Sequence, residues 1–324
     1  MSEPNAASAS RKPWLASVII PNYNGMAHLP ACLGSLRAQT YAPFETIIVD
    51  NGSSDASVAF TRELFPEVRV IALAHDGVFV GAVNAGIRAA AGEIIVLLNN
   101  DTEAEPDWLS ELICALGAEP AAGMAASKMR LYDRRNTLHN AGDGFGRDGL
   151  PINRGVWQRD SGQFDHDHFV FAASGGAAAY RKAMLDTLGL FDEDFVAYCE
   201  DTDLAWRAQL SGWRCVYAPR AVVYHKLSAT GSGRLASYFV GRNTLWVIAK
   251  NLPASLWRKY WPWIVGAQLR IARDALIAWR GEAARARLRG QLAGVLGLPR
   301  MLSRRRAIQA QRTVDDGYLE SLLT

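Results

Sequence analysis

Four places in this sequence carry residue types that could do chemistry together. Asp50 closes an apolar run and is followed by Asn51-Gly52-Ser53-Ser54-Asp55. A carboxylate there can accept a hydrogen bond from a nucleobase imide, and the turn behind it can bring backbone N–H groups to a ligand; a turn feeding an N-cap explains the same residues structurally. Asp101 follows the apolar Ile94–Leu98 and precedes Thr102-Glu103. A carboxylate at the mouth of a buried strand suits a divalent cation bridging two phosphates, because Mg²⁺ and Mn²⁺ prefer oxygen ligands and keep positions open for substrate. The alternative is capping, since Pro106 can begin a helix. Glu200-Asp201-Thr202-Asp203 sets three carboxylates in four residues at a helix start. The helix dipole favours some acid there, but three exceed what capping needs, and like charges so close raise a pKa toward useful base strength. His225 closes an apolar run; a lone histidine is more often structural, and it gains interest only from company.

The elements that must position these groups follow from the pattern of apolar residues. Ala16–Ile20, Thr46–Val49, Val68–Leu73 and Glu93–Leu98 are short, β-branched-rich runs that predict strands. Met26–Gln39, Ala56–Phe65 and Val80–Ala91 between them predict helices. This βαβα rhythm predicts a parallel sheet with helices on both faces, and ligands of such sheets bind beyond the carboxyl ends of the strands. Those ends carry Asn22-Tyr23-Asn24-Gly25, Asp50-Asn51-Gly52-Ser53 and Asn99-Asn100-Asp101. The middle of the chain is less regular, with glycine-rich loops from Gly142 to Gly155 and the small-residue stretch Ser174-Gly175-Gly176-Ala177. Glu200–Leu210 reads as a helix ended by Gly212, then Trp213–Tyr217 and Ala221–Tyr224 as two strands, and helices follow from Arg234.

Taken in order, these pieces resemble family 2 glycosyltransferases. The matching residues are Ser17-Val18-Ile19-Ile20-Pro21-Asn22-Tyr23-Asn24, Val49–Asp55, Gly81-Ala82-Val83-Asn84-Ala85-Gly86, Leu97-Leu98-Asn99-Asn100-Asp101-Thr102, Phe191–Phe195, Glu200–Leu204 with Trp206-Arg207, and Tyr224-His225. Each is weak alone, whereas the ordered set is specific and spans about Ala16 to Asn251. The resemblance implies an α/β fold of the GT-A type, a mostly parallel central sheet flanked by helices with a C-terminal helical extension. It implies an inverting transfer of a sugar from a nucleotide diphosphate, with bacterial rhamnosyltransferases and galactofuranosyltransferases of cell-surface polysaccharides as the nearest subgroup. Pro21 and Asn22 would begin the nucleotide pocket, Asp50 with Asn51 and Gly52 would meet the base, and Asn84, Asn99 and Asn100 would lie along the nucleotide-sugar. Asp101 resembles the aspartate that binds Mg²⁺ or Mn²⁺ and His225 a second metal ligand, while Asp201 resembles the catalytic base with Glu200 beside it. The chain departs from many relatives at Asn99, where they carry an aspartate; an asparagine brings a carbonyl but no charge.

The totals bound what remains. The 324 residues suffice for one large α/β domain or two small ones. The implied organisation is a leader over 1–13, a catalytic domain over 14–249 with a nucleotide half (14–120) and an acceptor half (121–249), and a helical region over 250–324. The leader is small and polar with no apolar core, so it reads as disordered rather than as a signal peptide. Formal net charge is +3, yet Lys250 to Arg312 alone holds 14 basic and 2 acidic residues, a net of +12 that leaves −9 on the rest. In that segment Trp257, Trp261 and Trp263 mix with Arg258, Lys259 and Arg270, a pairing that suits an anionic membrane surface; a subdomain packed on the catalytic core, or a homodimer contact, is the alternative. No nucleic-acid recognition motif accompanies the charge. No uncharged apolar run reaches the roughly 18 residues of a spanning helix, and the four cysteines form no CxxC pair, which predicts buried free thiols in a reducing compartment. The expected place of work is the cytoplasmic face of the membrane, on a glycan or lipid-linked acceptor. Two other functions compete. A nucleotidyltransferase would want a cation-bearing glycine-rich loop after the first strand, which Asn22–His28 lacks. A non-catalytic nucleotide-sugar-binding protein would be expected to lose an acidic site residue, yet Asp50, Asp101 and Asp201 are all present.

Overall fold

A computed structural model describes residues 13–73, 78–227 and 233–324. The leader expected over 1–13 therefore lies outside the described residues, save Pro13. The first half alternates as its apolar runs predict: β1 (Ala16–Asn22), α1 (Leu29–Arg37), β2 (Phe44–Asp50), α2 (Ser57–Leu64), β3 (Arg69–Ala72), α3 (Phe79–Ala89) and β4 (Ile94–Leu98). Next come β5 (Thr102–Ala104), α4 (Trp108–Ala118), β6 (Ala122–Leu131), β7 (Leu138–Ala141), and the hairpin β8 (Asp143–Phe145) and β9 (Pro151–Asn153). After β10 (Phe169–Val170), β11 (Ala177–Arg181) and α5 (Lys182–Leu188), α6 (Glu200–Leu210) leads into β12 (Arg214–His225). The chain finishes in α7 (Arg234–Asn251), α8 (Ala254–Ile277), α9 (Glu282–Leu296), α10 (Leu298–Ala310) and α11 (Asp316–Ser321).

The central sheet runs β10-β12-β6-β11-β4-β1-β2-β3, with β5 added beside β12 and β7 beside β6. β1, β2, β3 and β4 pair in parallel, and β12 pairs in parallel with β6. β11 runs against both of its neighbours, and β10 against β12. The main strands are apolar without interruption because both faces are covered. Ile19, Ile47 and Leu97 face one core with α3 and α6. Val18, Ile20, Ile48 and Val96 face the other with α1 and α4, the period of two that a strand imposes.

Three expectations change. The two strands read at Trp213–Tyr217 and Ala221–Tyr224 are one, β12, because Ala218 opposes Ser127 and Val222 opposes the next residue, Lys128. Pro219 falls in that irregularity, where a missing N–H disturbs no ladder. The boundary expected after residue 249 falls inside the last turn of α7, whose Lys250 and Asn251 are 3% and 0% exposed. Finally, Cys114 is exposed on α4, while Cys32, Cys199 and Cys215 are buried free thiols as expected.

The basic C-terminal helices are tied to the catalytic body by ion pairs. Lys250 Nζ lies 2.6 Å from Asp192 and 2.8 Å from Asp203, and Asp203 also accepts from Arg207 and from Asn251. Arg304 pairs with Asp192 and Asp194, and Arg300 with Asp194. Part of the local charge is thus neutralised by the core rather than solvated. α7 and α9 touch backbone to backbone: a Cβ on Gly290 would lie 2.1 Å from the Tyr238 carbonyl oxygen.

Candidate active site

β2, β1 and β4 are neighbours that end at one edge, so the polar residues closing them meet there. Asn22 stands opposite Asp50 in the β1–β2 register. Its Nδ2 donates to Asp50 Oδ1 at 2.8 Å, and its Oδ1 accepts from Asn100 Nδ2 at 2.8 Å. Ser53 donates to Asp50 through its backbone N–H (2.9 Å) and its hydroxyl (2.6 Å). Asp50 thus fills three of roughly four acceptor directions from within the protein. Only glycine fits at Gly25, because a Cβ there would sit 2.0 Å from Asn22 Oδ1 and 2.4 Å from Asn100 Nδ2. Pro21 is buried behind this network, and Gly52 holds the following turn with φ +78°. The Oδ1 of Asn51 is buried without a partner among the described residues.

The antiparallel pairing of β5 with β12 sets His225 opposite Thr102 and hence beside Asp101. His225 Nε2 lies 3.1 Å from Asp101 Oδ1. On its other side, His225 Nδ1 lies 3.1 Å from His139 Nδ1, with the rings 4.8 Å apart. Burial, and then the neighbouring His225, push the pKa of His139 down to about 4, so it is neutral at ordinary pH. A neutral His139 that accepts from His225 Nδ1–H would leave the His225 Nε2 lone pair directed at the Asp101 side. The sequence reading missed His139, which comes from β7 with no local signal around it. The donor set fits a divalent ion: cis ligands of a six-coordinate ion at about 2.1 Å stand roughly 3 Å apart, as Asp101 Oδ1 and His225 Nε2 do. Among the described residues no group of three or more His, Cys, Asp or Glu side chains could hold an ion. Two protein ligands would leave the other positions to substrate oxygens and water.

The third group arrives on α6 after a distorted turn. Val196, Tyr198 and Cys199 have φ of +70°, +66° and +63°, unfavourable for bulky or β-branched residues and costing on the order of 1–3 kcal/mol each. α7 holds this turn. Asn243 Nδ2 donates to the carbonyls of Phe195, Ala197 and Tyr198 at 2.9, 2.9 and 2.7 Å, and Arg242 donates to those of Asp194 and Phe195. The first turn of α6 is thereby aimed at the loop before β11. Gly175 N–H donates to Asp201 Oδ2 at 3.0 Å, while the next residue's carbonyl, Gly176 O, accepts from Asn99 N–H at 2.9 Å. One two-glycine step therefore links the end of β4 to Asp201. A Cβ on Gly175 would lie 3.7 Å from Asp201 Oδ2, and one on Gly176 would press on Asn99 Nδ2 at 3.2 Å.

The three acids of the Glu200–Asp203 run divide. Asp203 is fully buried and its pKa is lowered: burial opposes this, but Lys250 and Arg207 outweigh it. Glu200 is 6% exposed, its Oε2 lacks a partner among the described residues, and burial followed by the charge of Asp201 pushes it to about 8. Burial likewise raises Asp201, against hydrogen bonds from Gly175 and Thr202. Asp143, at the start of β8, joins them. Burial and then Asp201 raise it to about 8, and the Asn140 amide donates to it. The sequence reading passed over Asp143, which lies within the glycine-rich stretch. Asn84 stands apart: its amide is occupied by both backbone groups of Phe191 and by Glu193, clipping α3 to that segment.

The chain is similar to known proteins over most of its length. The model of the family described as "Glycosyl transferase family 2" matches residues 17–189. The N-acetylglucosaminyl-diphospho-decaprenol L-rhamnosyltransferase of Mycobacterium tuberculosis is 24% identical over 287 residues, covering 80% of this chain and 92% of that protein. The protein y4gI of Sinorhizobium fredii is 28% identical over 244 residues, 67% of this chain but only 25% of that much longer protein. Among solved structures, the mannosyltransferase PcManGT of Pyrobaculum calidifontis, in complex with GDP-Man and Mn²⁺, superposes with a TM-score of 0.57 at 18% identity, covering 96% of this chain and 84% of that one.

Proposed function

This chain belongs to glycosyl transferase family 2, and on that premise we propose that it moves a sugar from a nucleotide diphosphate to an acceptor hydroxyl with inversion at the anomeric carbon. The observation that supports the proposal is the short path Asp101–Asn99–Gly176–Gly175–Asp201, which connects the Asp101–His225 pair to the buried Asp201 carboxylate. In this reading Asn22, Asp50 and Asn100 shape the nucleotide pocket, with Pro21, Asn51, Gly52 and Asn99 beside them. Asp101 and His225 hold Mg²⁺ or Mn²⁺, which when bound neutralises charge on the departing diphosphate. Asp201 takes the proton of the acceptor hydroxyl as that oxygen bonds to the anomeric carbon and the bond to the diphosphate breaks. The raised pKa makes Asp201 a stronger base than an ordinary aspartate. Glu200 keeps a proton at neutral pH, so only one of the adjacent pair bears charge.

The donor we favour is dTDP-rhamnose, with a UDP-sugar second; the name of the Mycobacterium relative supports the first. That name also supports a lipid-linked acceptor in cell-envelope polysaccharide synthesis. Among the described residues no helix is long and apolar enough to cross a membrane. Trp257, Trp261, Val265, Leu269 and Leu276 nevertheless form one exposed stripe along α8, with Leu269 65% exposed. Arg258 and Arg273 flank the stripe, a composition suited to lying on an anionic bilayer. Nucleotide release from a panel of donors with Mg²⁺, Mn²⁺ or chelator tests the enzymatic reading. We expect release from one donor, stimulated by metal and acceptor; no release from any nucleotide-sugar would overturn it. Flotation with phosphatidylglycerol vesicles tests the surface, and no lipid-dependent flotation would remove it.

A further inference from the structure

A cavity of about 160 Å³ lies between α7, α8 and α9, closed by Leu150 and Pro151 at the entry to β9. Thr244, Gln268, Arg287 and Gln291 line it alongside apolar residues. Arg287 is half-buried, yet among the described residues no carboxylate, carbonyl or ring pairs with its guanidinium. Burial lowers its pKa, although an arginine stays protonated. Gln268 Nε2 is a buried donor without an acceptor, and Gln291 Oε1 a buried acceptor without a donor. Lys250, Arg300 and Arg304 of the same region, by contrast, meet carboxylates. Arg287 is held in place by backbone contact, because a Cβ on Gly241 would lie 2.7 Å from the Arg287 carbonyl oxygen.

A partly desolvated cation that shares a cavity with an unused amide donor is costly unless an anion satisfies both. We infer that Arg287 and Gln268 bind a phosphate group, the polar head of a phosphorylated lipid. The cavity is lined by α8, the helix whose other face carries the exposed stripe. It also backs onto the active site. Arg287 acts electrostatically on Cys199, whose thiol bonds to Thr244 of the cavity wall and which immediately precedes Glu200 and Asp201. The inference deepens the lipid-linked acceptor proposed above and rests on it for the identity of the ligand. The phosphate could belong to that acceptor or to a membrane headgroup.

Binding to the full-length chain, with chelator present to silence the metal-dependent donor site, separates these sources and needs no turnover. The probes are inorganic pyrophosphate, geranyl diphosphate, and vesicles of phosphatidylglycerol against phosphatidylcholine. We expect Arg287→Gln to weaken binding at least tenfold and Gln268→Leu at least threefold, with thermal unfolding confirming that each variant is folded. Loss confined to the soluble diphosphates assigns the acceptor's phosphate, and loss confined to phosphatidylglycerol assigns the headgroup. Equal affinity of wild type and both variants for every probe, or no binding by wild type, would overturn the site. A chain that binds geranyl diphosphate through Arg287 but releases no nucleotide would instead count against the glycosyltransferase reading alone.

Discussion

Replacing Glu200 with glutamine removes a carboxyl group that the fold holds in its neutral form. Its pKa rises from the ordinary 4.5 to about 8, through burial and then the charge of Asp201. The folded chain therefore keeps this proton up to about pH 8, whereas the unfolded chain loses it near 4.5. Unfolding releases a proton throughout that window, so the stability this carboxyl allows is complete below 4.5 and declines as pH rises through 8. At 1.36 kcal/mol per unit the full shift is worth about 5 kcal/mol, and sharing the strain with Asp201 and Asp143 reduces it to roughly 2–5 kcal/mol. Because Oε2 has no partner, the amide forfeits no hydrogen bond there. Urea unfolding of both proteins at pH 4.5, 7 and 9 measures the difference. Glu200→Gln should match wild type at the lowest pH and be the more stable by a few kcal/mol at the highest. A constant difference across pH, or a variant less stable at pH 9, would refute the account of this carboxyl group.

Lys250→Met should cost about 3–5 kcal/mol in urea unfolding, because Asp192 and Asp203 would be left buried without their shared cation. Asn243→Ala removes three hydrogen bonds from the Phe195–Tyr198 turn, at about 1 kcal/mol each. It should lower kcat at least tenfold while the KM for donor stays within twofold; a change in KM alone would place the effect on the nucleotide side instead. His225→Ala should raise the Mn²⁺ concentration needed for half-maximal nucleotide release by tenfold or more, and an unchanged metal requirement would remove His225 from the ion.

The parts of the fold that were legible in sequence are those fixed by local pattern. The apolar runs of β1, β2 and β4 read as strands buried on both faces, and asparagine or aspartate closes β1 and β2 and follows β4, so the sequence alone places the sheet edge. What could not be read depends on distant chain segments meeting. His139 reaches His225 across 86 residues, and Asp143 comes to the α6 acids from a loop whose glycines suggested only turns. The role of Asp203 was hidden because its partner Lys250 lies 47 residues on, in a segment whose charge the sequence could only sum. β12 was split in two because Pro219 disguises a strand irregularity as a break. Asn243 gives no signal at all, since an asparagine within a helix carries no mark of the three carbonyls it binds.

The most direct test of the central claim is single-turnover transfer by Asp201→Asn alongside calorimetric binding of the donor nucleotide. The transfer rate should fall by about 10²–10⁴ with nucleotide affinity held within threefold, since Asp201 belongs to α6 and not to the β1–β2–β4 edge. Transfer at a near-normal rate in that variant would contradict it.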